Sequence, residues 1–222
     1  MQCFGALSLF LVLSVGYHSV HAAGILDSIK NVFGISSNKE QIVVPSGGER
    51  LPNYYRIEAL VVRLENQAGI KSNGGSCDTF GKCDPIVYAY IDTDKPTNTF
   101  PGSLDVKAIP KIFETTNNNS PDINYKLTKD ICNKDPNTQK AMLRVHVTDH
   151  NTILSNSLIS DFDCPLGGTL ANEERSATWQ DAICTGKYQE KKIRLSARVK
   201  MYRVPQNDCT NARPQGEPAK KS

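Results

Sequence analysis

Four oxygen-bearing side chains stand out by type and spacing. Asp78 and Asp84 lie six residues apart and bracket Gly81, and Asp84 opens an apolar run through Asp84-Pro85. Further on, Leu143-Arg144-Val145-His146-Val147-Thr148 runs into Asp149-His150-Asn151, and another apolar stretch starts at Asn156-Ser157-Leu158-Ile159. Calcium takes about six to eight oxygens and tolerates irregular geometry. The carboxylates of Asp78, Asp84 and Asp149, the Asn151 amide oxygen and loop carbonyls make a sensible set for that ion. The same residues have a plainer use, because Asp and Asn commonly bond their own backbone in turns.

For these residues to meet, the segments carrying them must be neighbouring strands. Residues 54–64 are rich in β-branched and aromatic side chains, and 86–91 and 142–148 are further strand candidates. In the third, Leu143, Val145 and Val147 face one way and Arg144 and His146 the other. The clearest alternation sets Ile193, Leu195, Ala197, Val199 and Met201 against Arg194, Ser196, Arg198, Lys200 and Tyr202. Period-2 patterning over that length is a half-buried strand. Strands joined by Gly/Asn/Pro/Ser loops, without a long helical pattern, predict an all-β fold, an antiparallel β-sandwich. Residues 115–121 and 133–139 read as loops.

Composition narrows the class. The 222 residues carry 26 Lys+Arg against 23 Asp+Glu, a net charge of +3, with 39% apolar residues. That suffices for a core, and the basic excess is too thin for a nucleic-acid footprint. Residues 1–22 contain no charged side chain and end in Val20-His21-Ala22, a small-x-small pattern. They are predicted to be a secretory signal peptide, too short in its apolar run to span a bilayer. The expected product is secreted and extracellular. It keeps six cysteines, Cys77, Cys83, Cys132, Cys164, Cys184 and Cys209. An even number in a secreted chain predicts disulfides, with about 15 connectivities open. Cys77 and Cys83 are one candidate pair, which would rigidify the first acidic loop.

Residues 23–53 read as a leader and linker. Ile25, Leu26, Ile29, Val32 and Phe33 fall on one face of a short amphipathic helix. A helix so short must dock on the domain or on a lipid surface. Residues 54–204 are the expected β domain, and 205–222, with Pro205, Pro214 and Pro218, a disordered tail. Asn118-Asn119-Ser120 is the N-glycosylation sequon, with Asn118 the acceptor.

The two acidic stretches together resemble a C2 domain. Such domains carry Asp-x-x-Gly-x-Ser-Asp-Pro-Tyr-Val before one strand and Val-x-Asp-x-Asp later in the chain. Here Asp78, Asp84 and Asp149 match acidic calcium positions. Asn151 and Ser157 stand where the family often has Asp, and Cys83 replaces a Ser. The resemblance implies a calcium-dependent module for membrane surfaces, of weakened affinity, towards the ~10⁻⁴–10⁻³ M range of extracellular sites. A narrower likeness is to the extracellular C2-like N-terminal module of Notch ligands. It rests on Arg56-Ile57-Glu58-Ala59-Leu60, Gly75-Ser76-Cys77-Asp78, Asn156-Ser157-Leu158-Ile159-Ser160, Trp179-Gln180-Asp181 and 193–199. That family continues into a cysteine-rich module and EGF repeats, which this sequence does not contain, so the likeness implies a stand-alone relative.

Catalysis has little support. His150 neighbours Asp149, with Ser155 and Ser157 nearby, but a triad is a geometry rather than an adjacency, and no nucleophile elbow is present. Trp179 reads as a packing residue, and Arg194, Arg198 and Lys200 as a solvated cationic face or a contact for anionic lipid or glycan. The expectation is a monomeric, non-enzymatic, secreted C2-like module with calcium as cofactor. Its partner would be anionic phospholipid or a cell-surface protein or glycan, with no nucleic acid and no small-molecule substrate. The alternative is a calcium-independent extracellular interaction, signalling or matrix protein whose acidic loops are only turns.

Overall fold

The computed structural model describes residues 54–210 and 216–218. The expected signal peptide and leader lie outside the described residues. Eleven strands are described: β1 (Tyr55–Glu65), β2 (Pro85–Asp92), β3 (Lys111–Glu114), β4 (Asp122–Ile131), β5 (Met142–Asp149), β6 (Ser157–Pro165), β7 (Leu170–Ala171), β8 (Gln180–Ala182), β9 (Thr185–Gly186), β10 (Arg194–Arg203) and β11 (Gly216–Pro218). One sheet has the order β11-β4-β1-β10-β7, with β8 also on β10; the other has the order β3-β2-β5-β6-β9. All pairs are antiparallel except the two-residue β7, which runs parallel to β10. The fold is an all-β sandwich, as the alternation predicts.

The core is what period-2 patterning selects. Ile57, Ala59 and Val61 of β1 and Leu195, Ala197, Val199 and Met201 of β10 meet Val87, Ala89, Leu143, Val145, Val147, Ile159 and Phe162 of the facing sheet. β4 obeys the pattern less cleanly. Asn124 has a left-handed φ of 49°, and the β1 register shifts between Val61 and Arg63 where β4 pairs with it. A bulge of this kind displaces the alternation and bends the strand.

Three disulfides hold the edges among the described residues: Cys77–Cys83, Cys132–Cys209 and Cys164–Cys184. Cys132–Cys209 ties the end of β4 to the segment expected as a disordered tail. There Asp130 accepts hydrogen bonds from both the Thr210 N–H and its hydroxyl, and β11 pairs with β4.

The outer face of β5 holds the most constrained polar group. Arg144 is fully buried. Its Nη1 donates to Asp163 Oδ1 at 2.7 Å, and its Nη2 sits 3.4 Å from Asp92 Oδ2 and donates to the carbonyls of Lys95, Pro96 and Asn98. Asp92 also accepts the N–H groups of Asp94, Lys95 and Ser103. Gly102 (φ 82°) completes the packing, because a Cβ there would lie 2.1 Å from Asp92 Oδ2. The guanidinium thus bridges β2, β5 and β6 and wraps the β2–β3 connection over itself.

Removing one partner of a buried ion pair costs about 3–5 kcal/mol. Arg144→Gln is therefore expected to lower unfolding free energy by that order, read from urea denaturation. Burial pushes the Asp92 carboxyl up, but the Lys95, Ser103 and Asp94 hydrogen bonds outweigh it and leave it below its ordinary 3.8. A depressed carboxyl contributes stability above its unfolded pKa and loses it as pH falls through the folded value. Asp92→Asn should flatten the acid-side fall in stability below about pH 4.

Candidate functional site

Antiparallel pairing brings the acidic loops together. Pro85 pairs with Asp149, and Asp149 with Ser157. The 66–84 segment before β2 and the 150–156 loop between β5 and β6 therefore emerge at one end of the sandwich. The β3–β4 loop emerges there too, since Glu114 pairs with Ile86. The Arg144 cluster lies towards the opposite end.

Asp149 is the centre of this tip and is fully buried. Its Oδ1 accepts the Asp84 N–H at 2.8 Å. Its Oδ2 is buried with no hydrogen-bond partner. Burial raises the Asp149 carboxyl above the usual range, opposed by the Asp84 N–H and assisted by the charges of Asp78 and Asp84, while Lys71 pulls it down slightly. The three predicted aspartates are thus close enough to feel one another.

Each neighbour has its own restraint. Asp84 Oδ1 accepts the Asn117 N–H from the β3–β4 loop. Its carbonyl accepts the His150 N–H at 2.9 Å, which clips the 150–156 loop to the first. Asp78 is half-buried and lies against Gly81. Asn151 spends its amide nitrogen on the carbonyls of Asp149 and Ser155 and on Ser157 Oγ, so it braces the loop and has only its Oδ1 to offer a ligand.

The Cys77–Cys83 disulfide closes the floor. A carboxylate oxygen of Asp149 lies within 4.8 Å of both sulfurs. Thiolates and a carboxylate at that spacing would suit a soft metal, but both sulfurs are spent on each other. The remaining donors are carboxylate and carbonyl oxygens, the set a hard cation prefers. Asp149 Oδ2, buried and without a partner, feels the charges of Asp78 and Asp84, a donor chemistry that suits calcium, but the three carboxylates do not all come within 4.8 Å of one another. Asp149, Asp84 and Asp78 are the residues that would hold it.

Three more residues at this end carry no motif. Phe80, between Asp78 and Asp84, is 97% exposed, and Ile153 and Leu154, just after Asn151, are 94% and 76% exposed. The only cue in the sequence is a large apolar residue inside a run of Gly, Lys, Asn and Ser. Lys82 stands exposed beside Phe80.

Elsewhere the predicted cationic face is largely spoken for. Lys200 lies 2.9 Å from Glu58 and 3.4 Å from Glu174, over the rings of Trp179 and Tyr202, and Arg198 pairs with Asp181. Trp179 covers Lys200 as a packing residue. His146 of β5 has its Nδ1 2.7 Å from Asp161 of β6, and its ring lies against those of Tyr88 and Phe100.

No family model and no curated protein matches the sequence. Solved structures do. A C2 domain protein from Ramazzottius varieornatus superposes with a TM-score of 0.66 at 29% identity, over 72% of this chain and 95% of that one. Human GIVD cytosolic phospholipase A2 aligns at 0.45 and 13%, over 73% of this chain and 17% of its own. Drosophila C2-DSL-EGF1 aligns at 0.39 and 13%, over 67% of each. The sandwich, its tip of three aspartates and the first of these superpositions identify the described region as a C2-like domain.

Proposed function

We propose that this chain is a secreted C2-like binding module that docks tip-first on anionic phospholipid membranes in a calcium-dependent manner. The observation that carries the reading is the exposure of Phe80, Ile153 and Leu154 on the two loops that also hold the aspartates. Single exposed apolar residues are ordinary on protein surfaces. Three at one end, on loops braced by a disulfide and by backbone clips, form an apolar crown held ready for a non-aqueous phase.

Each of these side chains gains about 1.5–3 kcal/mol on full transfer out of water. The opposing force is charge, because Asp78, Asp84 and Asp149 repel anionic headgroups. Calcium, when bound, supplies the positive charge that cancels the carboxylates and attracts lipid phosphate. The chain's own residues do the rest. The disulfide and the His150 and Asn117 clips hold the loops in one geometry, so little ordering entropy is lost on docking. Lys82 adds attraction at the rim. Secretion is supported by the charge-free 1–22 segment and by three disulfides, which persist in oxidising compartments.

Sedimentation of the full chain with phosphatidylserine-containing vesicles tests this. Binding is expected at millimolar calcium and lost in chelator. Phe80→Ala, and Ile153→Ala with Leu154→Ala, should each weaken partitioning about tenfold or more without lowering the melting temperature. Equal binding in chelator would remove the calcium requirement. Failure to bind under any condition would favour a protein partner for the crown.

The charge arrangement makes a second prediction. A carboxyl raised in the folded state binds its proton more tightly there, so its cost is full at neutral pH and is relieved as pH falls through the folded value. Asp149→Asn keeps an oxygen for the Asp84 N–H and removes the repulsion. In calcium-free buffer at pH 7 it should melt higher than wild type. Calcium should raise the wild-type melting temperature and leave the variant's unchanged; a melting temperature indifferent to both would refute the site.

A further inference from the structure

The sequon lies on the docking face itself. Asn118 is exposed in the β3–β4 loop, and that loop is fastened to the acidic one at four points. The Asn118 N–H donates to the Cys83 carbonyl at 2.8 Å, and the Asn117 N–H to Asp84 Oδ1. In return, Asn119 Oδ1 accepts the Cys83 N–H at 2.7 Å and Asn117 Oδ1 the Lys82 N–H at 3.1 Å. Asn118 is therefore bonded to a residue three positions from Phe80 and adjacent to Asp84. Its side-chain Oδ1 accepts the Ser120 N–H at 3.1 Å, so the amide oxygen is the atom this turn uses, and the side-chain nitrogen Nδ2 is the atom that carries a glycan.

We propose that Asn118 is an N-glycan acceptor and that its glycan closes the tip, making glycosylated and membrane-docked states mutually exclusive. The inference rests on the membrane reading above and on passage through a secretory route. The donor class is a lipid-pyrophosphate-linked oligosaccharide. Asn118 Nδ2 forms a bond to the anomeric carbon while the bond from that carbon to the pyrophosphate oxygen breaks. The lipid pyrophosphate leaves with the electron pair, and the amide proton passes to the transferase's base. A glycan is bulky and strongly hydrated. Anchored beside Asp84, it occupies the volume that Phe80, Ile153 and Leu154 need to share with acyl chains. The loop clips leave Asn118 little freedom to swing it aside. Glycosylated chain is then a soluble form, and unmodified chain the membrane-binding form.

The test uses full-length chain secreted from a glycosylating eukaryotic cell. Intact mass should show an N-glycan on wild type and on Ser120→Thr, which keeps the sequon and its hydroxyl, and none on Asn118→Gln. With phosphatidylserine vesicles and millimolar calcium, the glycosylated fraction should sediment at least tenfold less than Asn118→Gln, and enzymatic release of the glycan should restore binding. Absence of a glycan from wild type, or equal sedimentation of both forms, would overturn the proposal. If Asn118→Gln and the enzymatically released chain also stay in solution while melting like wild type, the membrane reading falls and takes this proposal with it.

Discussion

A single buried guanidinium sets the frame on which the rest depends. Arg144 on β5 reaches Asp92 on β2 and Asp163 on β6, so it joins three neighbouring strands on one face. Buried ion pairs are weak evidence for stability, because desolvation offsets much of the attraction. Their consequence here is register. A one-residue slip of any of the three strands would turn its polar group into the core and its apolar set outward. It would also leave a charge buried and unpaired. The register that Arg144 enforces is the one in which Pro85 faces Asp149 and Asp149 faces Ser157. The acidic tip is assembled by a clamp near the other end of the same strands.

The two ends handle negative charge in opposite ways. At the Arg144 end each carboxylate is answered: Asp92 by three N–H groups and a guanidinium, Asp163 by the same guanidinium. At the tip Asp149 is buried, has one oxygen unanswered and is flanked by two more carboxylates. The result is one aspartate below its ordinary range and one above it, and so opposite contributions to stability as pH changes. A loop pair carrying that repulsion cannot rely on a core of its own. The Cys77–Cys83 bridge and the backbone clips from His150 and Asn117 supply the restraint that packing does not. Local cost is retained at the tip because the rest of the sandwich can carry it.

Much of the scaffold is legible in the sequence, for a specific reason. β5 and β10 show clean alternation in sequence because one face of each is polar or solvated while the other is core. β1 breaks its period at the Val61–Arg63 bulge and β2 is buried along nearly its whole length, so these two are legible by residue type rather than by period. β4 hides because the left-handed Asn124 and the bulge opposite it shift the period partway along. The three aspartates are legible as a set, since residue type and Asp-Pro spacing survive without coordinates. Of the disulfides only Cys77–Cys83, six residues apart, is legible as a candidate pair; Cys132–Cys209 and Cys164–Cys184 depend on distances between segments farther apart in sequence. Arg144 reads as one more solvated residue on an outward face. Only the fold of the β2–β3 connection over it reveals burial.

The apolar crown was invisible for a different reason, and that reason bears on function. Phe80, Ile153 and Leu154 belong to no periodic pattern, and each taken alone is an unremarkable surface residue. They gain meaning only when antiparallel pairing puts their loops side by side, next to carboxylates that Lys71 offsets only in part. Exposed apolar groups and uncompensated negative charge are each unfavourable in a free protein, and they favour different surroundings. An apolar phase would stabilise the first and strongly disfavour the second; a cation in water would do the reverse. A boundary where hydrocarbon lies beneath phosphate and calcium satisfies both at once. That double requirement, more than the likeness of fold, is the reason for proposing a lipid surface rather than a purely apolar or purely polar partner.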